Sequence, residues 1–256
     1  MGSIRPRALQ INGIGLCVVL LAGACQLLGG PPPAPPRLNP DQVQRGALLF
    51  LSPELSGDAQ RSCATCHPGG ASNGHTYRGD EEVAPGSQGA RDVPTLRGLW
   101  QSPPYLWDGS APSLRAAIAR MLEVEMRGGN IDEPDLSALE AYLLSIPPFE
   151  RRRVVPDGPP VEPATMASRR GFEFFERAKC SLCHPPPRYA RRGRFDIGTG
   201  IKLEPPSLRG VSSSPPYGHD GRWSTLEMAV RAILAAREVE YSELELTQLL
   251  SYLELL

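Results

Sequence analysis

Two short stretches carry the residues best placed to do chemistry: Cys63-Ala64-Thr65-Cys66-His67 and Cys180-Ser181-Leu182-Cys183-His184. In each, two thiols stand three residues apart and a histidine follows at once, the spacing of covalent c-type haem attachment. The thiols reach two vinyl groups on one edge of a porphyrin and bond to them as thioethers. His67 and His184 are thereby held under the iron as proximal ligands. A single copy also fits a dithiol redox pair or half a zinc site. Two copies in one chain, with nothing nearby to complete four zinc ligands, favour haem at both.

The elements that must position these stretches occur twice. Arg45-Gly46-Ala47-Leu48-Leu49-Phe50 precedes the first, and Arg170-Gly171-Phe172-Glu173-Phe174-Phe175 precedes the second. Downstream, Pro94-Thr95-Leu96-Arg97-Gly98 matches Pro206-Ser207-Leu208-Arg209-Gly210, and Pro103-Pro104-Tyr105-Leu106-Trp107-Asp108-Gly109 matches Pro215-Pro216-Tyr217-Gly218-His219-Asp220-Gly221. Leu139 to Leu143 aligns with Leu249 to Leu253 near the close of each copy. This is a duplicated module. Segments 41–51, 112–126, 135–146, 165–177, 224–237 and 243–255 are helical in pattern, and strand signals are scarce. The expected fold is all-α: two tandem cytochrome c-like domains, each wrapped around a covalent haem, with long Pro/Gly-rich loops. Gly46 and Gly171 suit a close crossing of first and last helix, with Phe50 packing on Tyr142 and Phe175 on Tyr252.

The rest of the chain bounds the setting. Arg5, Arg7 and a short apolar run to Leu21 read as a signal peptide over 1–24. Leu21-Ala22-Gly23-Ala24-Cys25 resembles a lipobox, with Cys25 as the lipidated residue; cleavage without lipid is the alternative. A Pro-rich tether over 25–40 follows. The domains are expected at 41–147 and 164–256, separated by a Pro- and Arg-rich linker at 148–163. Export to the bacterial periplasm as a membrane-tethered lipoprotein agrees with haem attachment outside the inner membrane. The net charge of −1 gives no case for nucleic acid, and Lys179 and Lys202 are the only lysines.

With both haem motifs, the Pro-Thr/Ser-Leu-Arg segments and the Asp-Gly turns in view, residues 41–256 resemble the bacterial di-haem cytochrome c peroxidases. Those share their fold with the di-haem enzyme that matures the tryptophan-derived quinone of methylamine dehydrogenase. The resemblance implies two haem c groups, one receiving electrons and the other meeting hydrogen peroxide. It implies that Trp107 lies between the haems as an electron relay, against the plainer reading of a packing residue. It also implies that Glu125, followed by Met126, acts as a proton-shuttling carboxylate, although Glu123 and Glu125 otherwise look like an exposed helix face. The family's C-terminal distal methionine falls seven residues after the leucine of Thr-Leu-Glu; here Leu226 leads to Ile233, which cannot bind iron. Met228 lies five residues from that position, about 140° around the helix. Seven residues after Leu114 in the first repeat stands Met121, expected to share a haem-facing side with Leu114 and Ala117. Met121 is therefore the candidate distal ligand of the first haem, with core filling as the alternative. That assignment makes the second haem the open one, the reverse of the family's order.

His75 competes as sixth ligand of the first haem, or is a solvated loop histidine in the polar stretch Gly69 to Gly89. Near the second haem, His219 and Tyr217 are the remaining donors, and His219 is expected to hydrogen-bond rather than ligate. Arg188, Arg191, Arg192 and Arg194 follow the second motif, either pairing with haem propionates, attracting an acidic redox partner, or standing in a solvated loop. Three functions fit: a di-haem peroxidase fed by a small redox protein or quinol-derived donor, a tethered di-haem carrier without catalysis, and an oxidant of a protein substrate.

Overall fold

Residues 36–148 and 165–256 are described by the computed structural model. The signal segment, Cys25, most of the tether and nearly all of the linker lie outside them. Asn39 caps the first helix by accepting from Asp41 N, and Pro40 fills a position that needs no N–H donor. That helix, α1, spans Pro40–Leu51, and a single turn, α2, covers Cys63–Cys66. Three short strands follow: β1 Thr76–Arg78, β2 Glu81–Val83 and β3 Arg91–Asp92. They pair antiparallel in the order β2-β1-β3, with Thr76 opposite both Val83 and Asp92. Helix α3 (Leu114–Arg120) runs directly into a π-helical turn at Met121–Glu125, and α4 spans Glu133–Ser145. In the second repeat come α5 (Met166–Arg177), a 3₁₀ turn at Cys180–Leu182, β4 (Phe195–Asp196) paired with β5 (Lys202–Leu203), α6 (Leu226–Ala236) and α7 (Glu243–Leu253).

The two repeats are built by the same local rules. Ser113 and Thr225 cap α3 and α6, each accepting from the N–H three residues on, at 3.2 Å in both cases. Tyr105 pairs with Ala111, and Tyr217 with Trp223, as isolated bridges closing the Asp-Gly turns. The hydroxyls of Tyr105 and Tyr217 donate to the carbonyls of Leu99 and Val211 at 3.2 and 3.0 Å.

Each repeat hangs on one helix crossing. A Cβ on Gly46 would lie 2.7 Å from Tyr142 Cβ and closer still to the Ala138 carbonyl; on Gly171 it would lie 2.8 Å from Tyr252 Cβ and closer to the Gln248 carbonyl. The helices α1 and α4, and α5 and α7, therefore meet backbone to backbone, which only glycine allows. Phe50 packs on Tyr142 at 5.1 Å between ring centroids and Phe175 on Tyr252 at 5.4 Å, as the repeat pattern predicts. Around these crossings lie two apolar clusters, one drawn from residues between Phe50 and Ile146 and the other from residues between Phe174 and Leu256.

Two segments differ from the sequence reading. The helix expected over 112–126 is α-helical only to Arg120. Its last turn widens because Met126 N donates to Met121 O (2.9 Å) and Gly128 N to Leu122 O (2.8 Å). This lets the chain close on the preceding loop, where Gly57 N donates to Met126 O at 2.9 Å. The row facing the apolar cluster is Leu114, Ile118 and Leu122; Ala117 is buried, while Met121 is half-buried and stands outside that cluster. The stretch Gly69 to Gly89, read as an irregular polar loop, holds the β1–β2 hairpin, pinned by the buried Thr76, whose hydroxyl donates to Val83 O at 2.6 Å. Among the described residues no helix is long and apolar enough to cross a membrane.

Candidate haem-attachment sites and the contact between the repeats

The two attachment segments are folded alike. His67 N donates to Cys63 O and His184 N to Cys180 O, both at 2.9 Å, so each histidine is held directly beside its thiol pair. His184 Nδ1 faces the Tyr189 carbonyl at 3.1 Å and must donate to it, which leaves Nε2 as the free lone pair. His67 Nδ1 is buried and has no hydrogen-bond partner among the described residues. Burial lowers both imidazoles from their ordinary value, His67 to about 4, so both stay neutral and competent to ligate a metal. Burial pushes the first thiol of each pair up, Cys63 to about 11 and Cys180 to about 12. A dithiol redox motif needs a depressed thiol pKa, so that alternative finds no support. Free thiols, a neutral, half-buried histidine and one-turn geometry are what covalent haem c requires.

The other donors fall in distinct places. Met121 and Glu125 occupy the two ends of the π-helical turn, both half-buried. His75 is half-exposed, with Nδ1 2.6 Å from Glu82 Oε1, so the solvated-loop reading describes it. Tyr217 is committed to its own turn through Val211 O. Met228 is exposed and its sulfur accepts from the Ser224 hydroxyl at 3.4 Å. Ile233 is half-buried on α6.

Trp107 and His219 stand at the same position of the two repeats, and they meet. Their ring centroids are 6.0 Å apart with planes inclined by 32°. Trp107 keeps 38% of its surface exposed, so it is not a buried packing residue. The backbones around this pair are joined by two matching hydrogen bonds. Asp92 N donates to His219 O at 2.9 Å, and Glu204 N donates to Trp107 O at 3.2 Å. Asp92 and Glu204 are themselves repeat equivalents, each two residues before the proline of Pro94-Thr95-Leu96-Arg97 and Pro206-Ser207-Leu208-Arg209. The contact is thus pseudo-two-fold. A third bond without a counterpart, Gly86 N to Asp220 O at 2.8 Å, adds to one side.

Charge accumulates there. The Arg91 guanidinium lies 4.0 Å from the centre of the Trp107 ring, a cation–π contact. His219 Nδ1 is buried without a partner rather than hydrogen-bonded as expected, and its pKa falls, through burial first and the nearby Arg91 and Arg222 next. Burial works against the Asp220 carboxylate, but hydrogen bonds from Arg222 hold it below its ordinary range. Burial pushes Asp92 up to about 7 and Glu204 up to about 8. Sequence reasoning missed Arg91, Asp92 and Glu204. The signal was present in the last two, since the repeat alignment puts a carboxylate at one position in both copies.

Comparison with known proteins places these features. The family model for di-haem cytochrome c peroxidase matches residues 40–152. Cytochrome c peroxidase Ccp of Escherichia coli is 27% identical over 260 aligned positions, covering 79% of this chain and 55% of its own length. Methylamine utilization protein MauG of Methylorubrum extorquens is 29% identical over 289 positions, covering 88% of this chain and 81% of its own. The chain therefore spans about half of the first relative and most of the second. A structure of Kuenenia stuttgartiensis hydrazine synthase, pressurized with xenon, superposes with a TM-score of 0.70 over 100% of this chain and 98% of that one, at 19% identity, a likeness of fold. Members of the peroxidase and MauG families carry two covalently bound c-type haems, and the two Cys-x-x-Cys-His segments fit that complement.

Proposed function

We infer that this chain, a relative of the bacterial di-haem cytochrome c peroxidases, is an exported oxidoreductase that moves electrons between two covalent haems and reduces hydrogen peroxide. The observation that carries the reading is the Trp107–His219 contact, an aromatic pair set where the two haem-bearing repeats meet. The domains divide at 41–147 and 164–256, and the chain is tethered to the membrane in the periplasm through Cys25. Cys63, Cys66, Cys180 and Cys183 hold the haems, with His67 and His184 as proximal ligands and Met121 as distal ligand of the first. When bound, the haems supply the one-electron chemistry and an iron position open to peroxide.

The protein's own residues supply the remainder. Tyr189 O fixes the tautomer and orientation of His184. Trp107 gives electrons a π-system part-way between the repeats, and Arg91 over its face disfavours leaving positive charge there. Glu125 shares its turn with Met121, so it would serve as proton donor only with Met121 off the first iron; with Met121 bound, the open iron is the second and Glu125 takes no part in the proton transfer. An electronic and spin-resonance spectrum of the half-reduced holoprotein, before and after one equivalent of hydrogen peroxide, tests this. A five-coordinate iron that is oxidised by peroxide within seconds supports the reading. Two six-coordinate low-spin haems indifferent to peroxide replace it with a non-catalytic electron carrier.

A further inference from the structure

The loops that follow the two attachment segments share a backbone and differ at one telling residue. Leu96 and Leu208 hold the same place in Pro94-Thr95-Leu96-Arg97 and Pro206-Ser207-Leu208-Arg209. Leu96 N donates to Gly70 O at 2.8 Å, and Leu208 N donates to Tyr189 O at 3.1 Å. Gly70 and Tyr189 are therefore structural equivalents. Both have left-handed backbone, with φ of 79° and 53°. Glycine adopts that conformation freely, whereas a bulky aromatic residue is strained in it. Such strain persists only where the surroundings enforce it, and it gathers at functional positions.

Tyr189 is held at both ends. Its N–H donates to Pro185 O at 2.8 Å, and its carbonyl accepts from His184 Nδ1 as well as from Leu208 N, both at 3.1 Å. Its hydroxyl lies 3.0 Å from that of Tyr252, and both residues are buried. Phe175 closes the cluster, edge-on to the two rings at 6.3 and 5.4 Å between centroids. The first repeat is built without this brace. Gly70 O accepts from the Thr95 hydroxyl at 3.3 Å and not from His67, whose Nδ1 is unpartnered among the described residues. The Pro94 and Ala71 carbonyls lie near that ring without meeting it in hydrogen-bond geometry. A Cβ on Gly70 would stand 2.9 Å from Ile146 Cγ2, so no side chain fits there unless Ile146 shifts. Tyr142, the counterpart of Tyr252, packs on Phe50, and its hydroxyl makes no hydrogen bond among the described residues.

We propose that Tyr189, braced by Tyr252, is a positioning residue that holds its carbonyl against His184 Nδ1 and so lowers the reduction potential of the second haem, a device the first repeat lacks. A ring nitrogen that donates a hydrogen bond makes the opposite nitrogen a stronger donor to iron, and stronger donation favours the ferric state. The strained backbone at Tyr189 serves both contacts at once, the carbonyl on the histidine and the phenol on the last helix. The inference rests on His184 as the proximal ligand of the second haem and is independent of peroxide reduction.

Spectroelectrochemical titration of the holoprotein, with resonance Raman spectra of the ferrous state, tests it. Tyr252→Phe and Tyr189→Phe keep both rings and remove one hydroxyl each. Each should raise one of the two midpoint potentials and leave the other in place, shifting the electron distribution between the haems by about tenfold, or about 59 mV for a one-electron couple. The double variant should shift it no further than either single one, because both act through one bond. Tyr189→Gly gives the second repeat the residue of the first and should produce the largest shift. Tyr142→Phe should move neither potential. Wherever the potential rises, the iron–histidine stretching band should fall in frequency. Unchanged potentials in both phenylalanine variants at intact haem content overturn the proposal and leave the phenol pair as packing, and so does an equal shift in Tyr142→Phe. A wild-type ferrous spectrum without an iron–histidine band would sink the open-iron reading instead, and the potentials would still decide this one.

Discussion

Replacing Gly171 by alanine sets two effects of opposite sign against each other. Alanine is a better helix former than glycine by about 1 kcal/mol in an exposed helix, so propensity alone predicts stabilisation. At this crossing the new methyl would stand 2.8 Å from Tyr252 Cβ and closer to the Gln248 carbonyl, which is backbone and cannot rotate away. Helices α5 and α7 must therefore separate, and overpacking of this kind costs about 1–3 kcal/mol. Separation also loosens the contacts of Phe172 and Phe175 on Tyr252, both at 5.4 Å, and the 3.0 Å hydroxyl bond between Tyr252 and Tyr189. Those aromatic pairs and that bond add about 1–2 kcal/mol when weakened together. The net expectation is a loss of about 2–3 kcal/mol, or roughly 1 M in urea midpoint for a slope near 2 kcal/mol/M. Urea titration of the holoprotein, followed by far-ultraviolet dichroism and by the Soret band, reads it. Because Tyr189 O also orients His184, the Soret transition should move with the helical one. A variant as stable as the wild type, or more so, would mean that propensity wins and the two helices do not meet this closely.

Other expectations are more local. Met121→Ala should remove the sulfur-to-iron charge-transfer band and lower one reduction potential; an unchanged spectrum returns Met121 to a packing role. Trp107→Phe keeps an aromatic ring against His219 and Arg91 but removes the indole, so transfer between the haems after flash reduction should slow by about tenfold at unchanged haem content, each decade corresponding to about 1.4 kcal/mol of barrier; an equal rate refutes the relay. Glu204 has its folded pKa raised to about 8 by burial. A raised folded value contributes stability that is fully present below the unfolded pKa, about 4.5, and is lost as pH rises through about 8. Glu204→Gln should therefore gain on the wild type between pH 5 and 8 in urea midpoints, whereas a difference constant across that range would show that the carboxyl stays hydrated.

Much of this architecture was legible in the chain because it rests on short-range chemistry. The attachment spacing and the glycine-aromatic pairs at each crossing are written within one or two turns. The π-helical turn after Arg120 was not legible. It depends on a contact between Gly57 and Met126, far apart in sequence, and no helix propensity reports it. The burial of Asp92 and Glu204 was hidden for a related reason. Each is an ordinary polar loop residue until the other repeat closes over it. Repeat matching by itself would have flagged the pair, since chance seldom puts a carboxylate at one position of both copies.

The pairing of Trp107 with His219 has a consequence of symmetry. On a true two-fold axis a residue faces its own copy, and any substitution changes both sides at once. Covalent duplication lifts that constraint while keeping the geometry. Here the two matching amide bonds, from Asp92 and from Glu204, preserve the axis, and the side chains upon it have become unlike. On the relay proposed above, an electron crossing this point would meet indole on one side and imidazole on the other, a direction that no homodimer of identical modules can possess.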